Sequence, residues 1–266
     1  VNALPPAADA TRWVRRQRAE GAPAVRLFCL PYGGGGASLF NGWRNHLPPG
    51  TEVCAIQLPG RQDRIGEPAI DDLDAMVTQL EAAVAPLAGA PYALFGHSMG
   101  ALLAFALAHR LRARGGPGPL HLFVSAFRAP HLPARLGPLG GLDDDAFLAE
   151  LGRLGRISGM LEAAPDLTAL LIPALRADVR LCEAWACPEG LPPLPLPITC
   201  FGGRDDDFVP PEDMAAWRRH TTGRFRHHTV PGDHFFIHDF AAHLAPLLAG
   251  DLGASLRAPS HWALRS

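Results

Sequence analysis

The sequence contains no lysine; all 24 basic residues among its 266 positions are arginine. That excludes a P-loop lysine, a Schiff-base lysine and a serine–lysine dyad together. Charge of either sign is sparse, at 19% of residues with a formal net charge of −2, which gives no electrostatic footprint for nucleic acid. No run reaches 18 uncharged apolar residues, so no membrane span is expected. Residues 1–21 carry Arg12, Arg15, Arg16 and Arg18 without an apolar segment, unlike a secretory leader. Cysteine is limited to five residues, an odd number without a C-x-x-C pair, the closest two being Cys182 and Cys187. Cys29, Cys54 and Cys200 lie in apolar, strand-like runs, so free buried thiols in a reducing cytoplasm are expected.

Apolar residues are plentiful at 48%, enough for a folded core. Their pattern alternates. Strands are expected at Val25 to Leu30, Glu52 to Gln57, Pro91 to Phe95, Leu120 to Ser125, Ile198 to Phe201 and Phe225 to Val230. Between them lie helical periodicities at Asp71 to Leu87, with Asp71 or Asp72 as N-cap, and at Met99 to Arg114; a third follows at Phe236 to Leu248. Such alternation predicts an α/β fold: a mostly parallel sheet with helices on both faces.

The stretch from Ser125 to Ile198 is too long for one crossover. It contains helical patterns at Asp143 to Leu154 and at Asp166 to Trp185, the latter interrupted by Pro173. It is too short to bury its own core, and a helical lid is expected over 129–194. The expected core then comprises 22–128 and 195–250. Residues 1–21 and 251–266 are expected to be terminal extensions, the latter frayed.

Gly96-His-Ser-Met-Gly100 matches G-x-S-x-G between a strand and a helix, the context of a nucleophile elbow. Seven serines and 28 glycines in 266 residues give about 0.08 such motifs by chance. A nucleophilic serine needs a base, and the base an orienting acid, in the chain order Ser, acid, His. His234, in the loop after the last strand, is the expected base. His97 is expected to orient the elbow, and His238 and His243 to pack or face solvent. His227 and His228 alternate on a strand, so one must point away from any shared site. The H-x-x-x-H spacing of His234 and His238 is not read as zinc, because Phe235 stands where a zincin needs glutamate. Among Asp205, Asp206 and Asp207, counting forward from Gly203 and back from Val209 selects Asp206. The oxyanion donors expected are the Met99 amide, which opens a helix, and one from the glycine-rich loop Tyr32-Gly33-Gly34. That loop lacks the third glycine of a dinucleotide fingerprint, and no cofactor or metal is expected.

Several longer runs carry a resemblance. Leu30-Pro-Tyr-Gly-Gly-Gly-Gly-Ala-Ser-Leu-Phe40 with Trp43, Ile56-Gln-Leu-Pro-Gly-Arg61 with Glu67-Pro68, and Gly96 to Ala101 are three of them. Pro173-Ala-Leu-Arg-Ala-Asp178, Phe201-Gly-Gly203 and Gly232-Asp-His-Phe-Phe236 complete the set. Together the sequence resembles the type II thioesterases of polyketide and non-ribosomal peptide synthesis from about Val25 to about Leu248. The resemblance implies an α/β-hydrolase fold with a helical lid and no cofactor. It also implies hydrolysis of acyl groups from the phosphopantetheine arm of an acyl or peptidyl carrier protein; the chain itself is expected to be a cytoplasmic monomer. By motif, Ser98, Asp206 and His234 correspond to the triad, and Met99 and Gly33 (or Tyr32) to the oxyanion donors. Two segments depart from the family pattern: Ser125-Ala-Phe-Arg-Ala-Pro130, where S-G-R is usual before A-P, and Gly155-Arg-Ile-Ser-Gly159 in the lid. Both lie where an acyl group would rest.

Two other readings use the same residues: a general carboxylesterase or lipase, and a non-catalytic acyl-carrier binding module. Arg110, Arg112, Arg114, Arg218, Arg219, Arg224 and Arg226 offer a basic surface for an acidic carrier.

Overall fold

The computed structural model describes residues 10–115, 118–135, 137–153 and 165–257. Seven strands form one sheet: β1 (Val14–Gln17), β2 (Val25–Leu30), β3 (Thr51–Ile56), β4 (Tyr92–His97), β5 (Leu122–Ser125), β6 (Ile198–Gly203) and β7 (Phe225–Val230). Their order across the sheet is β1-β3-β2-β4-β5-β6-β7, and every pairing is parallel except β1 with β3. Strands β2 to β6 are Val-, Leu-, Ile- and Phe-rich and almost wholly buried, as parallel strands covered on both faces must be.

On one face pack α1 (Leu73–Val84) and α2 (Met99–Ala113), with Met76, Leu80, Leu102 and Leu107 against Phe28, Leu94 and Val124. Asp72 caps α1 by accepting from the Ala75 amide at 2.7 Å, so the cap expected at Asp71 or Asp72 is Asp72. The opposite face is filled by Phe40, Trp43, Phe240, Leu244 and Leu248. Between β5 and β6 come α3 (Asp144–Gly152) and α4 (Pro165–Glu183). Phe147 and Leu151 of α3 meet Leu175 of α4 and Leu139 in a small apolar cluster of their own.

The structure corrects four local expectations. Residues Val14–Gln17 are not a loose extension: they pair antiparallel with β3, Val14 opposite Ile56. Their sequence, VRRQ, has no apolar alternation, because an edge strand needs backbone pairing more than a buried face. The helix expected from Phe236 to Leu248 is broken into 3₁₀ turns at Phe236–Asp239, a short turn at Phe240–His243, and α5 (Ala245–Arg257). Pro246 tolerates only the first turn of a helix, so α5 begins beside it and runs on through the expected frayed tail. Asp251 and Leu252 of that tail are buried. Pro173 does not interrupt α4, whose flanking turns are held by buried Ala174, Leu175, Ala177 and Leu181. Leu154 and the segment Gly155 to Gly159 lie outside the described residues.

Among the described residues, no helix is long and apolar enough to cross a membrane.

Candidate active site

Ser98 sits between the end of β4 and the start of α2 at φ +52°, ψ −123°, a conformation that L-residues rarely adopt. The two flanking glycines explain how the turn closes. A Cβ on Gly96 would collide with the backbone of Gly100, and one on Gly100 would collide with the Leu30 carbonyl of β2. Only hydrogen at both positions lets the helix start this close to the sheet. The Ser98 amide donates to the Ser125 carbonyl at 2.8 Å, which fixes the turn to β5.

The chain order expected for acid and base is matched in space. His234 Nε2 lies 3.0 Å from Ser98 Oγ, and His234 Nδ1 lies 2.8 Å from Asp206 Oδ2. Asp206 can only accept, so Nδ1 carries the proton there and Nε2 is left to accept from the serine hydroxyl. The other Asp206 oxygen accepts from the Phe208 and Val209 amides at 3.0 and 3.1 Å, which locks the carboxylate plane. Asp206 and His234 are buried, whereas Asp205 and Asp207 face solvent. Both ring nitrogens of His234 are thus engaged within this trio. His238 is exposed, with Nε2 3.3 Å from the Tyr32 hydroxyl.

His97 has a specific task. Its Nε2 donates to the backbone carbonyl of His234 at 2.9 Å, so its Nδ1 accepts from Ser125 Oγ at 2.8 Å. That arrangement requires the neutral ring, and complete burial holds its pKa well below the ordinary histidine value. The residue before Ser98 therefore anchors the loop that presents His234.

Ser98 and His234 line a largely apolar cavity of about 180 Å³. Its walls include Met99, Gly33, Phe127, Leu139, Leu175 and Val209. Neither the Met99 nor the Gly33 amide donates to another described residue. Tyr32, the alternative donor, also borders the cavity, and burial raises its phenol pKa. Cys182 lies in the same wall, but burial pushes its thiol up to about 12, so it stays protonated at neutral pH and does not compete as a nucleophile.

Two residues quoted only as motif members acquire a role. Arg61 and Asp178 form a buried two-point ion pair at 2.5 and 2.9 Å. Asp178 Oδ2 also accepts from the Gly34 amide at 2.7 Å. One carboxylate on α4 thus holds both the Arg61 loop and the glycine loop after β2. The signal available in sequence was a charged residue closing each motif, Arg61 in one and Asp178 in the other.

The basic surface is mostly committed. Arg110 pairs with Asp74, Arg114 with Glu81 and Arg226 with Asp251. Arg112 and Arg218 donate to the carbonyls of Pro193 and Gly223. Arg219 and Arg224 carry no ion pair among the described residues.

A mostly parallel sheet with a serine on a strained strand-to-helix turn defines an α/β-hydrolase. The match to a thioesterase domain model over residues 25–251 narrows the class: this chain belongs to the thioesterase family, whose members hydrolyse thioesters. It is similar to the gramicidin S biosynthesis protein GrsT of Aneurinibacillus migulanus, at 38% identity over 86% of this chain and 89% of the relative. Its fold is similar to RedJ, a thioesterase from the prodiginine pathway of Streptomyces coelicolor (TM-score 0.76, 40% identity, 88% of this chain and 87% of that one). It is also similar to BorB, a type II thioesterase from the borrelidin biosynthetic cluster (TM-score 0.78, 35% identity, 95% and 99%).

Proposed function

We propose that the chain removes acyl groups from the phosphopantetheine arm of an acyl or peptidyl carrier protein, as an editing hydrolase of polyketide or non-ribosomal peptide assembly. The observation that carries this reading is the Ser98–His234–Asp206 relay, at 3.0 and 2.8 Å, on the wall of an apolar cavity. Ser98 Oγ attacks the thioester carbonyl while His234 Nε2 takes its proton. Asp206 holds the imidazole tautomer and stabilises the cation that forms. The carbonyl oxygen becomes an oxyanion facing the Met99 and Gly33 amides, where one donor contributes about 3 kcal/mol. The C–S bond then breaks. The thiol has a pKa of about 8.5, so it departs with less help than an alkoxide, and it recovers the proton from His234. Water, deprotonated by His234, attacks the acyl-serine; the ester bond breaks, and Ser98 and the free acid result.

In this reading α3 and α4 form the lid, held closed by the Arg61–Asp178 pair, and a carrier docks where Arg219 and Arg224 are unpaired. The chain acts as a monomer.

The test is intact-mass analysis after exposure to a panel of acyl-carrier thioesters and matched oxygen esters. The expected result is a transient acyl adduct on wild-type protein, none on S98A, and faster turnover of the thioester. Preference for the oxygen ester would instead favour a general esterase. Unchanged hydrolysis by S98A would overturn the nucleophile assignment.

A further inference from the structure

Two cavities adjoin along three shared residues. The inner cavity, about 180 Å³, holds Ser98 and His234. A polar outer groove of about 810 Å³ lies beyond it, and Arg128, Ala134 and Glu183 border both. Ala134 contributes only a methyl. Glu183 is tied back, its Oε1 accepting from the Leu139 amide at 2.5 Å. Arg128 is different. Its Nε donates to the Leu132 carbonyl at 3.1 Å, and its guanidinium carbon lies 5.0 Å from the centre of the Phe127 ring. No carboxylate pairs with it among the described residues, whereas neighbouring Arg135 is held at two points by Asp213, at 2.6 and 2.8 Å. Arg128 is therefore fixed along its length by a carbonyl and an aromatic face, at the place where the two cavities adjoin. Phe127 and Arg128 also fall in the segment where this chain departs from the family pattern.

We infer that Arg128 is a specificity-determining residue: its side chain closes the far end of the acyl chamber and restricts the substrate to short acyl groups. This rests on the thioesterase reading above and assigns its substrate class. A cavity of ~150 Å³ admits a benzene-sized guest, so the inner chamber takes an acyl group of roughly six carbons. A longer alkyl chain must lift Arg128 off the Phe127 ring and break its hydrogen bond to the Leu132 carbonyl, which is costly. Removing every atom beyond Cβ joins the chamber to the groove.

The experiment measures kcat/KM for butyryl, hexanoyl, octanoyl and decanoyl thioesters of pantetheine with wild-type protein, R128A and R128F. Wild type is expected to lose about tenfold or more between hexanoyl and decanoyl. R128A should raise the decanoyl-to-butyryl ratio about tenfold, while R128F, which restores bulk without charge, stays within about threefold of wild type. A wild-type profile that is flat to decanoyl overturns the inference without recourse to any variant. So does an R128A ratio equal to wild type, or an R128F ratio that rises as far as R128A. Absence of hydrolysis at every length, with no acyl adduct on Ser98, takes down the thioesterase reading as well; a flat profile takes down only the role of Arg128.

Discussion

Two histidines in this molecule sit among serine or threonine hydroxyls and a buried carboxylate, and they are built for opposite ends. At the cavity, His234 bridges Ser98 directly to Asp206. At the opposite end of the strands, just before β5, His121 lies between two hydroxyls instead, with Nδ1 2.8 Å from Ser255 and Nε2 2.9 Å from Thr199. The carboxylate there, Asp251, reaches Thr199 at 2.8 Å and Arg226 at 2.8 Å and makes no hydrogen bond to the imidazole. Thr199 donates to Asp251 and so accepts from His121 Nε2–H, which leaves Nδ1 to accept from Ser255. Burial pushes His121 down to about 3, so it cannot take a proton near neutral pH. The same residue types thus make a proton relay when the acid faces the ring, and an anchor for α5 when a hydroxyl stands between them.

Substitution can break this contrast in order of expected effect. S98A should lower thioester turnover by about 10⁶-fold, while S255A leaves kcat within about twofold. Equal losses would show that the second network also serves the reaction. D206N should lower kcat by about 10⁴-fold, because an amide at 206 favours the wrong tautomer of His234. D251N should retain turnover and lose about 2 kcal/mol of stability in urea unfolding, since it leaves Arg226 and Thr199 short of a partner.

Acid sharpens the comparison further. Buried His97, His121 and His220 and half-buried His109 all have pKa values below the usual 6.5, desolvation being the first cause in each. For a histidine lowered by folding, the stabilisation is complete above 6.5 and is lost as pH falls toward the folded value. His121 therefore contributes a loss of up to about 1.4 kcal/mol per pH unit between 6.5 and about 3. The melting temperature should drop steadily from pH 7 to pH 5, and an H121N variant should show a shallower slope. The smallest effect concerns Ala126, at φ +49° beside the cavity. Its family pattern has glycine there, and A126G should gain about 1 kcal/mol by relieving left-handed strain.

Much of this was legible in the sequence for a physical reason. Alternating apolar runs report strands and helices locally, and the elbow, Asp206 and His234 each follow a strand by a fixed count. The pieces that escaped are non-local. Nothing in VRRQ announces that it completes the sheet, because an edge strand is recognised by its neighbour's backbone. Arg61 and Asp178 stand 117 positions apart and read separately as members of two unconnected motifs. His121, Thr199, Asp251 and Ser255 converge only once β5, β6 and α5 are assembled.

The single carboxylate of Asp178 grips a guanidinium on one side and the Gly34 amide on the other. The glycine loop that lines the cavity is therefore tethered to α4, which forms another of its walls. Any swing of α4 away from the sheet must sever that tether or drag the loop along. On the proposed reading of α4 as a lid, uncovering the serine and disarranging the neighbouring Gly33 amide would be one movement, and the proposed oxyanion site would be assembled only while that helix is down.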